Sequence, residues 1–123
     1  MIAKIQSFTD LIAWKKAHAL AVSIYKLTDK FPQRETYSLT DQMRRSATSI
    51  SSNIAEGFSR QSKKEKIQFY YTSKGSLTEL QNQLLIARDV GYLVKEEFNS
   101  IAQQSIEVSK LINGLIKSIK RAA

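Results

Sequence analysis

From Phe98 to Ile119 an apolar or small residue recurs at Phe98, Ile101, Ser105, Val108, Ile112, Leu115 and Ile119, in unbroken steps of three and four. A strand would alternate at every second residue, so this rhythm fits an α-helix with one side buried along its whole length. The same spacing recurs three more times. Trp14, Ala17, Ala21, Ile24 and Phe31 make one stripe, with Leu20 and Leu27 beside it. Leu39, Met43, Ala47, Ile50, Ile54 and Phe58 make a second, and Tyr70, Ser73, Leu77, Leu80, Leu84 and Ala87 a third. A sustained 3-4 alternation is the mark of left-handed helix bundles. Short connections between four such helices predict an all-α, antiparallel up-down-up-down four-helix bundle.

The chain punctuates these stripes where helices of this length should stop. The spacing predicts helices over about 10–30, 38–58, 63–90 and 95–120. Thr9 is the expected cap of the first, and the Phe31-Pro32 step ends it, because the residue before proline is pushed out of helical geometry. Ser38 with Asp41 resembles a capping pair for the second, and Gly57 is its expected C-cap. Ser62 to Glu65, "SKKE", reads as a capping box, and Gly91 in "DVGYL" closes the third helix. Gly75, next to Ser76, falls inside that helix and is the expected point of close approach by a neighbouring helix. One proline and four glycines leave too few turn residues for an all-β fold. With 42% hydrophobic and 24% charged residues in 123, the chain reads as a single globular domain over 1–123.

Chemistry is scarce in this sequence. With no cysteine, disulfides, thiolate metal sites and cysteine nucleophiles are all excluded, which suits a reducing cytoplasm. No stretch approaches about 18 uninterrupted apolar residues, and "MIAKIQSFTD" lacks the apolar core of a secretory signal, so a cytoplasmic protein without a membrane partner is expected. His18 is the single histidine; neither His-x-x-x-His nor Glu-x-x-His can be formed around it. The glycines are isolated, without a phosphate-binding loop, and no nucleophile elbow is present. The expectation is no enzyme, no metal, no cofactor and no small-molecule substrate.

Two polar features remain. In "QMRRSATSISSNIAEG", Gln42 to Gly57, the residues Ser46, Ser49, Asn53 and Glu56 also step by three and four, forming a second stripe beside the apolar one. Small side chains ending in Asn53 and Glu56 suggest a helix or subunit junction. Arg88 of the third helix, or Arg44 and Arg45 of another copy, are the expected partners of Glu56, since a buried unpaired carboxylate is costly. The second feature is positive charge. The formal net charge is +8, and "RQSKKEKIQFYYTSK", Arg60 to Lys74, carries five cations and one Glu, interleaved with Phe69, Tyr70 and Tyr71. Arg44, Arg45, Arg60, Lys63, Lys64, Lys66, Lys117, Lys120 and Arg121 are the candidate nucleic-acid contacts, since cations among aromatics suit phosphates and bases.

The chain resembles the "four helix bundle protein" family, also called the 23S rRNA intervening-sequence or S23 family. The resemblance lies in "FTDLIAWKKAHALAVSIYKLTDKFP" (Phe8 to Pro32), "QMRRSATSISSNIAEG", "KGSLTELQNQL" (Lys74 to Leu84) and "ARDVGYL" (Ala87 to Leu93), in the family's order. Arg44, Arg45, Asn53, Glu56, Gly57, Gly75, Glu79 and Arg88 occupy its motif positions. The resemblance implies a bundle assembled as a ring-like homopentamer. Some members are encoded within insertions in bacterial 23S rRNA genes. Relatives that serve as accessory variability determinants of diversity-generating retroelements are basic pentamers that bind nucleic acid and associate with a reverse transcriptase. The leading expectation is therefore a non-enzymatic oligomer that binds nucleic acid, structured RNA foremost. The alternative is a protein–protein adaptor docking a polymerase, a reverse transcriptase or another acidic partner. A hydrolase or nuclease dependent on His18 is the third.

Overall fold

A computed structural model describes residues 4–122. Four α-helices account for most of it: α1 (Ile12–Thr28), α2 (Leu39–Ser59), α3 (Lys63–Asp89) and α4 (Lys95–Arg121). Short 3-10 turns at Phe8–Asp10 and Gln33–Glu35 precede α1 and α2. Side-chain pairs fix the directions of the helices. Lys16 meets Glu107, Ser23 meets Gln104 and Lys30 meets Glu97, so α1 and α4 run antiparallel. Ser49 meets Ser76 while Gly57 lies against Tyr70, which makes α2 and α3 antiparallel. Gln81 meets Ser105 and Tyr71 meets Lys120, which does the same for α3 and α4. The arrangement is the expected up-down-up-down bundle.

The predicted stripes form its core. All of Tyr70, Ser73, Leu77, Leu80, Leu84 and Ala87 are buried, as are Leu39, Met43, Ala47, Ile50 and Ile54. In α4 the centre of the stripe is buried at Ile101, Ser105, Val108 and Ile112, but its last turns roll so that Ile116 is buried and Leu115 and Ile119 are half-covered. A straight helix drifts against a strict seven-residue repeat, which explains the roll.

Several helix ends differ from expectation. The chain starts α1 at Ile12, and Thr9 does not cap it. Ser7 caps the preceding 3-10 turn instead: its Oγ accepts from Thr9 N–H at 3.2 Å, and Asp10 Oδ2 accepts from Ser7 N–H at 3.0 Å. Leu11 is extended, with ψ 129°, and separates the two elements. Ser38 makes no side-chain cap to α2; Glu35 Oε1 accepts from Leu39 N–H there, at 3.3 Å. Ser62 does cap α3, accepting from Glu65 N–H at 3.1 Å. Gly91 ends α3 with φ 89°, and Tyr92 N–H reaches back to the Ala87 carbonyl at 2.9 Å, the Schellman closure.

Neither Gly57 nor Gly75 has its expected role, and the close approach expected at Gly75 occurs at Gly57. Gly57 is not a C-cap, because α2 continues to Ser59. It is buried where α2 meets α3, and a Cβ there would lie 2.6 Å from Tyr70 Cε1 and 3.1 Å from Phe69 Cβ. Gly75, expected at a close crossing, has nothing within 4 Å of where its Cβ would stand. The crossing is made by its neighbours: Ser76 and Ser49 share a hydrogen bond of 2.8 Å, and Ser73 Oγ donates to the Ile50 carbonyl at 2.7 Å.

A polar latch ties the α1–α2 connection to the α3–α4 turn. Tyr92 Oη donates to Glu35 Oε2 at 2.7 Å, and the Tyr92 ring packs on Phe31. The Tyr92 hydrogen bond, then that of Leu39 N–H, holds the Glu35 carboxyl below its usual 4.5. Donating to Glu35 holds the Tyr92 hydroxyl above its usual 10.0.

Two outcomes are expected. Gly57→Ala should lower stability by about 1 kcal/mol, overpacking against Tyr70 outweighing the gain in helix propensity. Gly75→Ala should raise it by roughly 0.5–1 kcal/mol, since only the propensity changes there. Thermal melts of the two variants check the opposite signs. The latch has its own pH signature. The depressed Glu35 contributes stability above its unfolded value of 4.5, lost as pH falls through the folded value. The raised Tyr92 contributes below 10.0, lost as pH rises through its folded value. The melting difference between wild type and Tyr92→Phe should be flat over about pH 5–9 and shrink on both sides.

Candidate nucleic-acid interface

The antiparallel fold brings together basic residues that lie far apart in the chain. The α2–α3 turn and the end of α4 share one end of the bundle, where Lys63 Nζ donates to the Ala122 carbonyl. About two turns of α3 further along, Lys120 Nζ donates to Tyr71 Oη at 3.0 Å. Lys63, Lys64, Lys117, Lys120 and Arg121 therefore share this end, and all five are exposed. Among the described residues, Lys64, Lys117 and Arg121 have neither an ion pair nor a hydrogen-bond partner for their side chains. Acids are sparse on this side: α3 has none between Glu65 and Glu79, and α4 has none after Glu107.

Other expected contacts at this end are engaged in holding the turn. Lys66 donates to the Phe58 carbonyl at 2.8 Å and to that of Gly57 at 3.4 Å, closing the C-terminus of α2, where a cation also complements the helix dipole. Arg60 pairs with Glu56 at 3.3 Å and lies over the Phe69 ring, 4.8 Å from its centre.

Arg44 and Arg45 are elsewhere, about 24 Å back along α2 from Arg60. Arg44 is a clamp on the end of α1: it donates to Thr28 Oγ1 at 2.9 Å, to the Tyr25 carbonyl at 3.2 Å and to Asp29 Oδ1 at 3.0 Å, and it covers the Tyr25 ring. Arg45 pairs with Asp41 of its own helix at 2.9 Å. Neither adds to the basic end.

The serine stripe divides in the same way. Ser46 is buried, and Ser49 makes the bond to Ser76 that serves the α2–α3 seam. Asn53 Nδ2 turns back to the Ser49 carbonyl at 2.8 Å. Glu56 does not meet Arg88, contrary to expectation. It faces solvent beside Arg60, while Arg88 binds the adjacent Asp89 at 2.8 Å and covers Phe98. Exposed pairs of this kind contribute little to stability. Glu79 is also exposed, and accepts from the Gln83 amide at 3.3 Å.

Two features were not visible in the residue spacing. The Tyr71–Lys120 contact joins residues in different helices, and only the α3–α4 register brings them together. Lys120, followed by its charge and that of Lys74, lowers the Tyr71 hydroxyl below its usual 10.0. His18, the single histidine, stacks on Trp14 at 4.8 Å on the exposed side of α1. Among the described residues, no group of three or more His, Cys, Asp or Glu side chains is placed to hold a metal ion. No described helix is long and apolar enough to cross a membrane.

Comparison with known proteins bears on both the fold and the family. A crystal structure of a Bacteroides thetaiotaomicron protein of unknown function, from the S23 ribosomal protein family, superposes with a TM-score of 0.78. It is 28% identical, and the match covers 86% of this chain and 99% of that one. Comparison with curated proteins gives no significant match. The family model described as "23S rRNA-intervening sequence protein" matches residues 9–114, from before α1 into α4. The chain belongs to the 23S rRNA-intervening sequence protein family.

Proposed function

We propose that this protein is a non-enzymatic cytoplasmic oligomer that binds nucleic acid, structured RNA foremost, through positive surface repeated around the assembly. The observation that carries the reading is the meeting of Lys63, Lys64, Lys117, Lys120 and Arg121 at one end of the bundle, with Glu65 the one acid in α3 before Glu79 and none in α4 after Glu107. A net charge of +8 on so small a chain favours an anionic partner. A homopentamer would present the basic end five times. Weak individual contacts would then act together through high effective concentration. The association of the family with insertions in 23S rRNA supports RNA as the partner.

A second reading has an observation of its own. Leu85 and Ile106 are exposed where α3 and α4 meet, and Val94 is exposed at the start of α4. This apolar surface suits a protein partner such as a polymerase or reverse transcriptase. In that adaptor reading the protein partner binds stoichiometrically, and nucleic-acid affinity is weak.

Light scattering of the purified protein, with and without total RNA at two salt concentrations, tests both parts. A mass near five times 14.0 kDa is expected without RNA. RNA should be retained at about 50 mM salt and largely released by about 200 mM, as counterion release requires. Neutralising Lys64, Lys117 and Arg121 together should lower the slope of log affinity against log salt by roughly 1 per contact removed. Absence of any RNA or DNA retention at the lower salt overturns the nucleic-acid reading and leaves the adaptor.

A further inference from the structure

The outer face of α3 beside α4 holds an arrangement that packing within the chain does not explain. Tyr71 is 47% exposed there. Lys120 Nζ lies 3.0 Å from its hydroxyl and 5.4 Å from its ring centre, nearly the largest separation that such a bond allows. The ammonium therefore sits beyond the hydroxyl, edge-on, and does not cover the faces of the ring. Helical side chains lean toward the N-terminus, so position 75 is the one whose side chain would shade the turn carrying Tyr71. That position is glycine. A Cβ there meets nothing within 4 Å, so no close approach inside the chain calls for Gly75. A mid-helix glycine carries a conformational penalty. At this position the surface is open.

Cations stand on more than one side of the ring. Lys64 stands two turns before Tyr71 on the same line of α3, Lys120 meets it from α4, and Lys117 lies one turn before Lys120 on that helix. Lys74 is close enough for its charge to act on the Tyr71 hydroxyl. Lys64 and Lys74 span about 15 Å of helix, the rise of roughly four stacked nucleotides.

We infer that this face is a single-strand site: an unpaired base stacks on Tyr71 across the opening left by Gly75, and Lys64, Lys117 and Lys120 hold the flanking phosphates. Aromatic faces set among cations recognise single strands, whereas a duplex keeps its base faces stacked and gives Tyr71 nothing to bind. In structured RNA the targets are loops and bulges. The inference rests on the nucleic-acid reading above, and names the part of the nucleic acid that is read.

The test is a fluorescence anisotropy titration at low salt, using a labelled oligouridine of about twenty nucleotides and a labelled RNA duplex of similar length. Tyr71→Ala should weaken oligouridine binding about tenfold and leave duplex binding within about twofold. Tyr71→Phe keeps the ring and should bind as wild type does. Gly75→Gln should weaken oligouridine binding by several-fold while raising the melting temperature, which separates a blocked face from a damaged fold. Equal oligouridine affinity for wild type and Tyr71→Ala, with both probes still bound, overturns the single-strand site and leaves the wider reading standing. A changed assembly size in Tyr71→Ala or Gly75→Gln also overturns it, assigning the face to contact between copies. Failure of wild type to bind either probe overturns both.

Discussion

The seam between α2 and α3 is the constraint on which the rest of the bundle depends. Gly57 admits the Tyr70 ring to within the space a methyl group would take, and Ser73 spends its hydroxyl on the Ile50 carbonyl. Ser49 and Ser76 add a second polar contact along the same line. Each replaces a bulky side chain by a small one, so the two helices pack closely at fixed register. That register in turn decides which residues face α1 and α4. Serine is a mediocre helix former, and at Ser49 the seam gives its presence in α2 a reason.

Charge is disposed in two ways with different consequences. At the α1–α2 end, Arg44 spends its donors on Thr28, Tyr25 and Asp29, and Lys30 is paired with Glu97. The result is closure of helix ends and little outward field. At the opposite end the cations outnumber their partners. Lys66 and Arg60 hold the α2–α3 turn, which leaves Lys64, Lys117 and Arg121 directed at solvent. The same residue types thus serve structure at one end and present free charge at the other. The distinction follows from whether carbonyls and carboxylates lie within reach.

Legibility in the sequence followed the range of the interactions involved. The apolar stripes were readable because helical geometry repeats every few residues, and burial followed them almost throughout. The Ser62 cap and the Gly91 turn were readable because each closes within five residues. The expectations for Thr9 and Ser38 failed because competing groups make the capping bonds nearby, Ser7 with Asp10 and Glu35, and that for Gly57 failed because α2 continues two residues past it. Arg88, or Arg44 and Arg45 of another copy, were the expected partners of Glu56, yet within the chain Arg60 lies one turn away at the end of the same helix, and proximity decides between exposed cations. In the candidate interface, the individual lysines were evident, but their grouping was not.

By itself, the sequence determined that this chain makes four amphipathic helices, that they pack as a bundle, and that its surplus charge is positive. These properties are set by local periodicity and composition, which need no knowledge of neighbours. Only the tertiary structure decided that Lys63 meets the end of α4, that Tyr71 meets Lys120, that Gly57 rather than Gly75 is the point of close approach, and that Arg44 belongs to the framework. Those facts depend on the register between antiparallel helices. Register is fixed by the fit of side chains across each seam, and a one-dimensional pattern does not contain that fit.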